Sequence, residues 1–146
     1  MKKNRLSVAV FPLNIGGSNA TKLEFESIFV PPYNAGHFGI YLTSSPKQCD
    51  LIVITGTGTV KIAEHAMRLV ESLSPDIKLV VLGSDTISGA PFAGCYGVAG
   101  PIQPSESVKD TDLKLPTGRK IDAYLAGSPP DPQSILDAIL ELYQSK

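Results

Sequence analysis

The sequence predicts a three-layer α/β/α sandwich on a mostly parallel sheet, as a single domain over 1–146. Three observations carry this reading. Near-continuous apolar runs rich in Val, Ile and Leu occupy 6–13, 51–55 and 78–82, the pattern of strands buried on both faces of a parallel sheet. Amphipathic helical patterns alternate with them. A length of 146 residues suits one domain with a proper core and is short for two.

In chain order, LSVAVFPL reads as the first strand and stops at the turn signal of Asn14. Residues 21–30 suit a short helix halted by Pro31 and Pro32. Residues 39–43, GIYLT, add a further candidate strand before LIVIT at 51–55. In VKIAEHAMRLVESL, the residues Ile62, Ala63, Ala66, Met67, Leu69, Val70 and Leu73 trace one face, and Lys61, Glu64, Arg68 and Glu71 point away. KLVVL at 78–82 is the third strong strand, and 121–125 is a weaker one. The last helix is the clearest: Asp131 is placed as N-cap and Pro132 as first helical residue, before a stripe of Ile135, Leu136, Ile139, Leu142 and Tyr143. Strands alternating with helices imply right-handed βαβ units. The Pro-, Ser- and charge-rich stretch 100–119 reads as a surface excursion, such as a hairpin, inside the domain.

Composition excludes several functions. Thirteen basic residues face fourteen acidic ones, so no global field recruits nucleic acid or an anionic membrane. Cys49 and Cys95 sit in apolar or glycine-rich settings and read as reduced, packed thiols, which suits a cytoplasmic location. The basic head and apolar run of the first residues superficially resemble a signal peptide, but Ser7 and Pro12 interrupt the run and it continues as a strand. No apolar stretch has the length of a bilayer span.

In a parallel sheet, function gathers at loops after the carboxyl ends of strands. Here these are GGSNAT (16–21), TGTGT (55–59), GSDTISGAPFAG (83–94) and GSPP (127–130). Phosphate binding is weakly supported: GGSNATK lacks the Gly-Lys-Ser/Thr ending of a P-loop, and TGTGT is more simply a tight turn with a capping threonine. A serine hydrolase is disfavoured, because His37 and His65 lie outside these loops and Gly83-Ser84-Asp85 is no nucleophile elbow. Cys and His at metal-ligand spacing are absent, and Asp110 and Asp112 read as solvated charges of the excursion.

The segments NIGGSNATKLE, FGIYLTSSPKQCDLIVITGTGT, KLVVLGSDTISGAPFAGCYGVAGPI and IDAYLAGSPPDPQSILDAILEL together resemble the small subunit of membrane-bound, energy-converting nickel–iron hydrogenases. That subunit is homologous to the twenty-kilodalton subunit of respiratory complex I. The resemblance implies a flavodoxin-like sheet, and loops that hold a cubane iron–sulfur cluster on four cysteines beside a large subunit. Position by position, this chain has Ser18, Thr21, Asp85 and Ser128 where the family has those cysteines. The neighbouring Gly17, Glu24, Gly83, Gly127, Pro129 and Pro130 keep the family's framework. Such clusters are held by thiolates, and serine and threonine hydroxyls stay protonated at neutral pH. The expectation is therefore no cluster, no metal and no catalytic residue in this chain alone.

Three functions are weighed beside that expectation. The first is a clusterless structural or assembly subunit docking on a hydrogenase-like or complex-I-like large subunit, cytoplasmic or peripheral to a membrane complex. The second is a stand-alone module binding a small anion or nucleotide at the strand-end loops. The third, ranked last, is residual electron transfer through an unusually ligated cluster. Self-association in isolation is left open.

Overall fold

The computed structural model describes residues 6–17, 19–102 and 115–144. They form one five-stranded sheet in the order β2-β1-β3-β4-β5, parallel at every pairing. The strands are β1 (Val8–Asn14), β2 (Ile40–Leu42), β3 (Leu51–Thr55), β4 (Lys78–Leu82) and β5 (Ala123–Leu125). The helices are α1 (Asn19–Ser27), α2 (Val60–Ser72), α3 (Ser84–Ser88) and α4 (Pro132–Gln144). This is the predicted α/β sandwich, with the 2-1-3-4-5 order of a flavodoxin-like sheet.

Alternation along the strands divides the core. Leu51, Val53, Val80 and Leu82 pack with Phe25 of α1 and Ile135, Leu136 and Ile139 of α4. Ile52, Ile54, Leu79 and Val81 face the other way, onto Ala66, Met67 and Val70 of α2. Each such fully buried aliphatic side chain contributes roughly 1.5–3 kcal/mol relative to exposure. One predicted core position of α2 is corrected: Ile62 is 49% exposed, because it lies in the first turn at the sheet's carboxyl edge. The α1 helix ends at Ser27, and tighter turns then carry the chain to Val30, just ahead of Pro31.

Pro12 lies inside a central strand, where a missing N–H normally breaks a ladder. The carbonyl of Val10 points to the β2 side and accepts the Thr43 N–H at 2.9 Å. Pro12, two residues on, faces the same side, but β2 has already ended at Leu42. The missing donor therefore has no ladder position to leave empty.

At the amino edge of the sheet two aspartates repeat one device. Asp50 donates its N–H to the Ala9 carbonyl and accepts the Ala9 N–H on Oδ2, both at 2.8 Å. Asp122 does the same with Leu79, again at 2.8 Å. Each carboxylate thus extends a parallel pairing by one residue and satisfies a backbone donor that burial would penalise.

Helix ends are closed by distant side chains. Arg119 donates to the carbonyls of Ser74 (2.8 Å), Val70 (3.3 Å) and Ile77 (3.4 Å), which caps the carboxyl end of α2. Its Nε is buried and makes no hydrogen bond among the described residues. Lys78 donates to the Leu142 carbonyl near the end of α4 and lies 4.4 Å from the centre of the Tyr143 ring. Tyr143 in turn donates its hydroxyl to the Asp50 carbonyl at 2.8 Å. Of the excursion predicted over 100–119, Pro101 and Ile102 are buried, and residues 103–114 lie outside those described.

Candidate functional site

The four strand-end loops meet at the carboxyl edge of the sheet. Ile15, following β1, donates its N–H to the Thr55 carbonyl at 3.0 Å, and the Asn14 side chain accepts the Gly16 N–H at 2.9 Å. The loop after β3 packs backbone to backbone against this one. A methyl group on Gly56 would overlap the Gly16 carbonyl oxygen, and one on Gly58 the Ile15 carbonyl oxygen. Gly56 also has φ +85°, where a side chain is strained. The short α3 then presents Ser84, Asp85 and Thr86 to the surrounding loops.

Thr86 is 0% exposed. Its hydroxyl accepts the Gly56 N–H at 2.5 Å and donates to the Leu82 carbonyl at 2.7 Å, which bolts the β3 loop to the end of β4. Ser84 reaches the β5 loop: its N–H donates to the Gly127 carbonyl at 2.8 Å, and its Oγ accepts the Gly127 N–H at 3.0 Å. Thr86 escaped the sequence reading, and Ser84 entered it only as a rejected nucleophile. The available signal was only a Ser-Asp-Thr triplet directly after the strand-ending glycine.

The predicted site residues divide into those the fold gathers and those it does not. Thr21, in the first turn of α1, is 2% exposed, and its Oγ1 and Cγ2 each lie 3.3 Å from where a Cβ on Gly83 would sit. Asp85 lies beside it. Oδ1 accepts the Thr86 N–H at 3.0 Å and would be 2.5 Å from a Cβ on Gly83, while Oδ2 would be 2.8 Å from a Cβ on Gly17. Thr21, Asp85, Gly17 and Gly83 therefore form one contiguous cluster. Ser128 and Pro129 are exposed, and among the described residues their neighbour Gly127 bonds to Ser84 of this cluster. Gly127 makes the turn possible, since a Cβ there would lie 2.5 Å from Pro130 Cα. Glu24 is half-buried on α1, where its carbonyl accepts the Ser27 hydroxyl at 2.7 Å. Ser18 lies outside the described residues.

The rim of the site is apolar. The chain from Ala90 to Gly97 is exposed at every residue, with Phe92 at 52% and Tyr96 at full exposure. It is stitched down by the Val60 N–H to the Gly97 carbonyl (3.1 Å) and the Ala99 N–H to the Gly58 carbonyl (2.8 Å). Exposed Val60 and Ile62 at the start of α2 continue the apolar rim. No charged residue occurs between Asp85 and Glu106. Cys95 is exposed on this segment, which corrects its expected packing: the chain around it turns outward instead of entering the core. Cys49 is buried as expected, at the opposite edge of the sheet, where burial raises its thiol pKa and its Sγ donates to the Pro46 carbonyl at 3.1 Å.

A cubane iron–sulfur cluster needs soft thiolate donors. The loops offer a buried threonine hydroxyl, a carboxylate engaged with backbone N–H, and an exposed serine hydroxyl. Neither cysteine stands at a matched ligand position: Cys49 is buried at the opposite edge of the sheet and Cys95 lies on the exposed rim. Among the described residues no group of three or more His, Cys, Asp or Glu side chains gathers into a metal site. The residues do not fit the cluster. Thr57 Oγ1, in the β3 loop, is buried and lacks a hydrogen-bond partner among the described residues.

Residues 19–142 match the family described as NADH ubiquinone oxidoreductase, 20 Kd subunit. Curated relatives include the NAD(P)H-quinone oxidoreductase subunit K of Nostoc punctiforme, 34% identical over 138 residues, which covers 94% of this chain and 51% of that one. The chloroplastic subunit K of Lotus japonicus is 34% identical over 139 residues, covering 95% and 54%. The chain thus spans about half the length of the curated relatives it matches. Among solved structures, a chain of the membrane-bound sulfane sulfur reductase, an archaeal respiratory membrane complex, superposes with TM-score 0.70 at 24% identity, covering 96% of this chain and 70% of its own. A chain of an NAD+-reducing [NiFe]-hydrogenase gives 0.64 at 16%, covering 97% and 93%. At these identities the structural likenesses establish the fold.

Proposed function

The chain belongs to the family of the 20 Kd subunit of NADH ubiquinone oxidoreductase, and from that premise we propose that it is a clusterless structural or assembly subunit. It docks through the carboxyl edge of its sheet onto a large subunit of the hydrogenase or quinone-oxidoreductase type. The observation that carries this reading is the uncharged segment 90–97, exposed at every residue, with Phe92 and Tyr96. Interface cores are depleted in charge and enriched in aromatic anchors, and here such anchors stand beside loops that keep the family's frame without its thiolates.

No helix among the described residues is long and apolar enough to cross a membrane. On this reading the chain is cytoplasmic and reaches a membrane complex through its partner. The anion-binding alternative is less well supported. The β1 and β3 loops are packed against each other, and the first N–H of α2 is taken by the Gly97 carbonyl, so these loops form no open backbone cradle.

The test is isolation of the tagged chain from its native cells in mild detergent, without oxygen. A large subunit of the named type, recovered in stoichiometric amount and lost with Phe92→Asp plus Tyr96→Asp, supports the proposal. Absence of any such subunit counts against docking. Stoichiometric iron and sulfide with a paramagnetic signal on reduction overturns the clusterless assignment. A saturable thermal shift with a nucleotide or inorganic phosphate, without a partner, favours the stand-alone module.

A further inference from the structure

We infer that Ser84, Asp85 and Thr86 form a joint that ties the strand ends together, by hydrogen bonds to the β3 and β5 loops and by packing of the Asp85 carboxylate against the β1 loop, at positions that match the family's cluster ligands. The inference rests on the clusterless reading of these loops. Three consecutive side chains each address a different loop. Ser84 holds Gly127 of the β5 loop through its own Oγ and N–H. Thr86 holds Gly56 of the β3 loop. Asp85 sets its carboxylate against Gly17 of the β1 loop and accepts the Thr86 N–H on the opposite oxygen.

Space is matched to this arrangement. A Cβ on Gly17 would stand 2.8 Å from Asp85 Oδ2, and one on Gly83 2.5 Å from Oδ1, so the carboxylate fills the gap that two glycines leave. Thr21 closes the other side of Gly83. A metal cluster ligated from several loops cross-links them, and here one short helix does so with backbone bonds. The positions that match the family's ligands are therefore unequal: Asp85 is a member of the joint, whereas Ser128 is exposed and, among the described residues, is linked to it through its neighbour Gly127.

The experiment is amide hydrogen exchange by NMR on the full chain, with Asp85→Ala and Ser128→Ala compared against the unsubstituted protein. Asp85→Ala is expected to speed exchange at Thr86 by about tenfold, the effect of losing one charge-assisted hydrogen bond. Ser128→Ala is expected to change it less than about twofold, as for a surface substitution. Unchanged Thr86 exchange in Asp85→Ala overturns the joint. Should Asp85→Ala not fold, Asp85→Asn keeps the shape with a weaker acceptor: exchange about threefold faster supports the joint and unchanged exchange overturns it. Iron and sulfide analysis of the same unsubstituted sample separates the two ideas. Iron-free protein with silent Asp85 variants refutes the joint alone, and iron-loaded protein refutes the clusterless reading.

Discussion

Thr86→Val removes one hydroxyl and almost no volume, and it isolates the bond between the β3 loop and β4. Thr86 is 0% exposed, and its hydroxyl serves two backbone groups, the Gly56 N–H at 2.5 Å and the Leu82 carbonyl at 2.7 Å. Valine leaves both groups buried without that partner. A buried orphan costs about 1–3 kcal/mol, so the pair is expected to cost about 3 kcal/mol, or roughly a hundredfold in the folding equilibrium. Thr86→Ser is the control. It keeps both bonds and loses one methyl group, at about 1 kcal/mol. Urea unfolding followed by circular dichroism reads the difference. With a slope of about 1–2 kcal/mol per molar, Val is expected to lower the midpoint by roughly 1.5–3 M and Ser by less than about 1 M. Apolar transfer alone gives the reverse order. A valine variant as stable as the serine variant refutes the claim that this hydroxyl holds the loops.

Three further outcomes are expected. Gly56→Ala meets the Gly16 carbonyl oxygen at φ +85° and is expected to cost at least about 2 kcal/mol; a melting temperature like that of the parent would show that the β1 and β3 loops separate freely. The Tyr143 phenol is pushed well above the usual tyrosine value, first by burial and then by the charges of Asp50, Asp122 and Cys49. The folded state therefore holds this proton more tightly than the unfolded one. Its contribution is complete below about pH 10 and is lost as pH rises above that value; melting curves from pH 8 to 11 are expected to be flatter in Tyr143→Phe. Asp131→Ala removes the acceptor of the Ser134 N–H at 3.2 Å and is expected to cost about 1 kcal/mol in urea unfolding; no change would mean that Pro132 alone starts α4.

The sheet was readable because its strands carry their own signal. Runs such as LIVIT and KLVVL are buried almost residue by residue, so composition and burial coincide. The edge strands β2 and β5, three residues each, gave weaker runs because their side chains are only partly covered. The starts of the loops were readable for the same reason, as each begins where an apolar run stops, but α1 from Asn19 and α3 from Ser84 begin inside the stretches read as loops. The bonds within them were not readable. Ser84 to Gly127 spans 43 positions and Gly56 to Thr86 spans 30, and a hydroxyl aimed at a backbone group leaves no periodic trace. Arg119, which serves carbonyls up to 49 positions away, was hidden in a stretch that reads as surface. Ile62 and Cys95 show the converse error. Apolar residues at a sheet's carboxyl edge have no layer above them, and periodicity cannot distinguish such positions from the core.

The stretch between Ile102 and Arg119 is pinned on both sides. Ile102 donates its N–H to the Thr86 carbonyl at 3.0 Å, and Arg119 grips the end of α2. Chain inserted between two fixed posts adds to closure entropy only logarithmically, about 0.6 kcal/mol per doubling of length. The exposed turn at Thr117 and Gly118, just ahead of the second post, is therefore a place to graft a fluorescent reporter or an affinity sequence without redesigning the domain. Carried there, a reporter would stand beside the guanidinium that holds the end of α2, and its signal would register whether that grip holds or lets go.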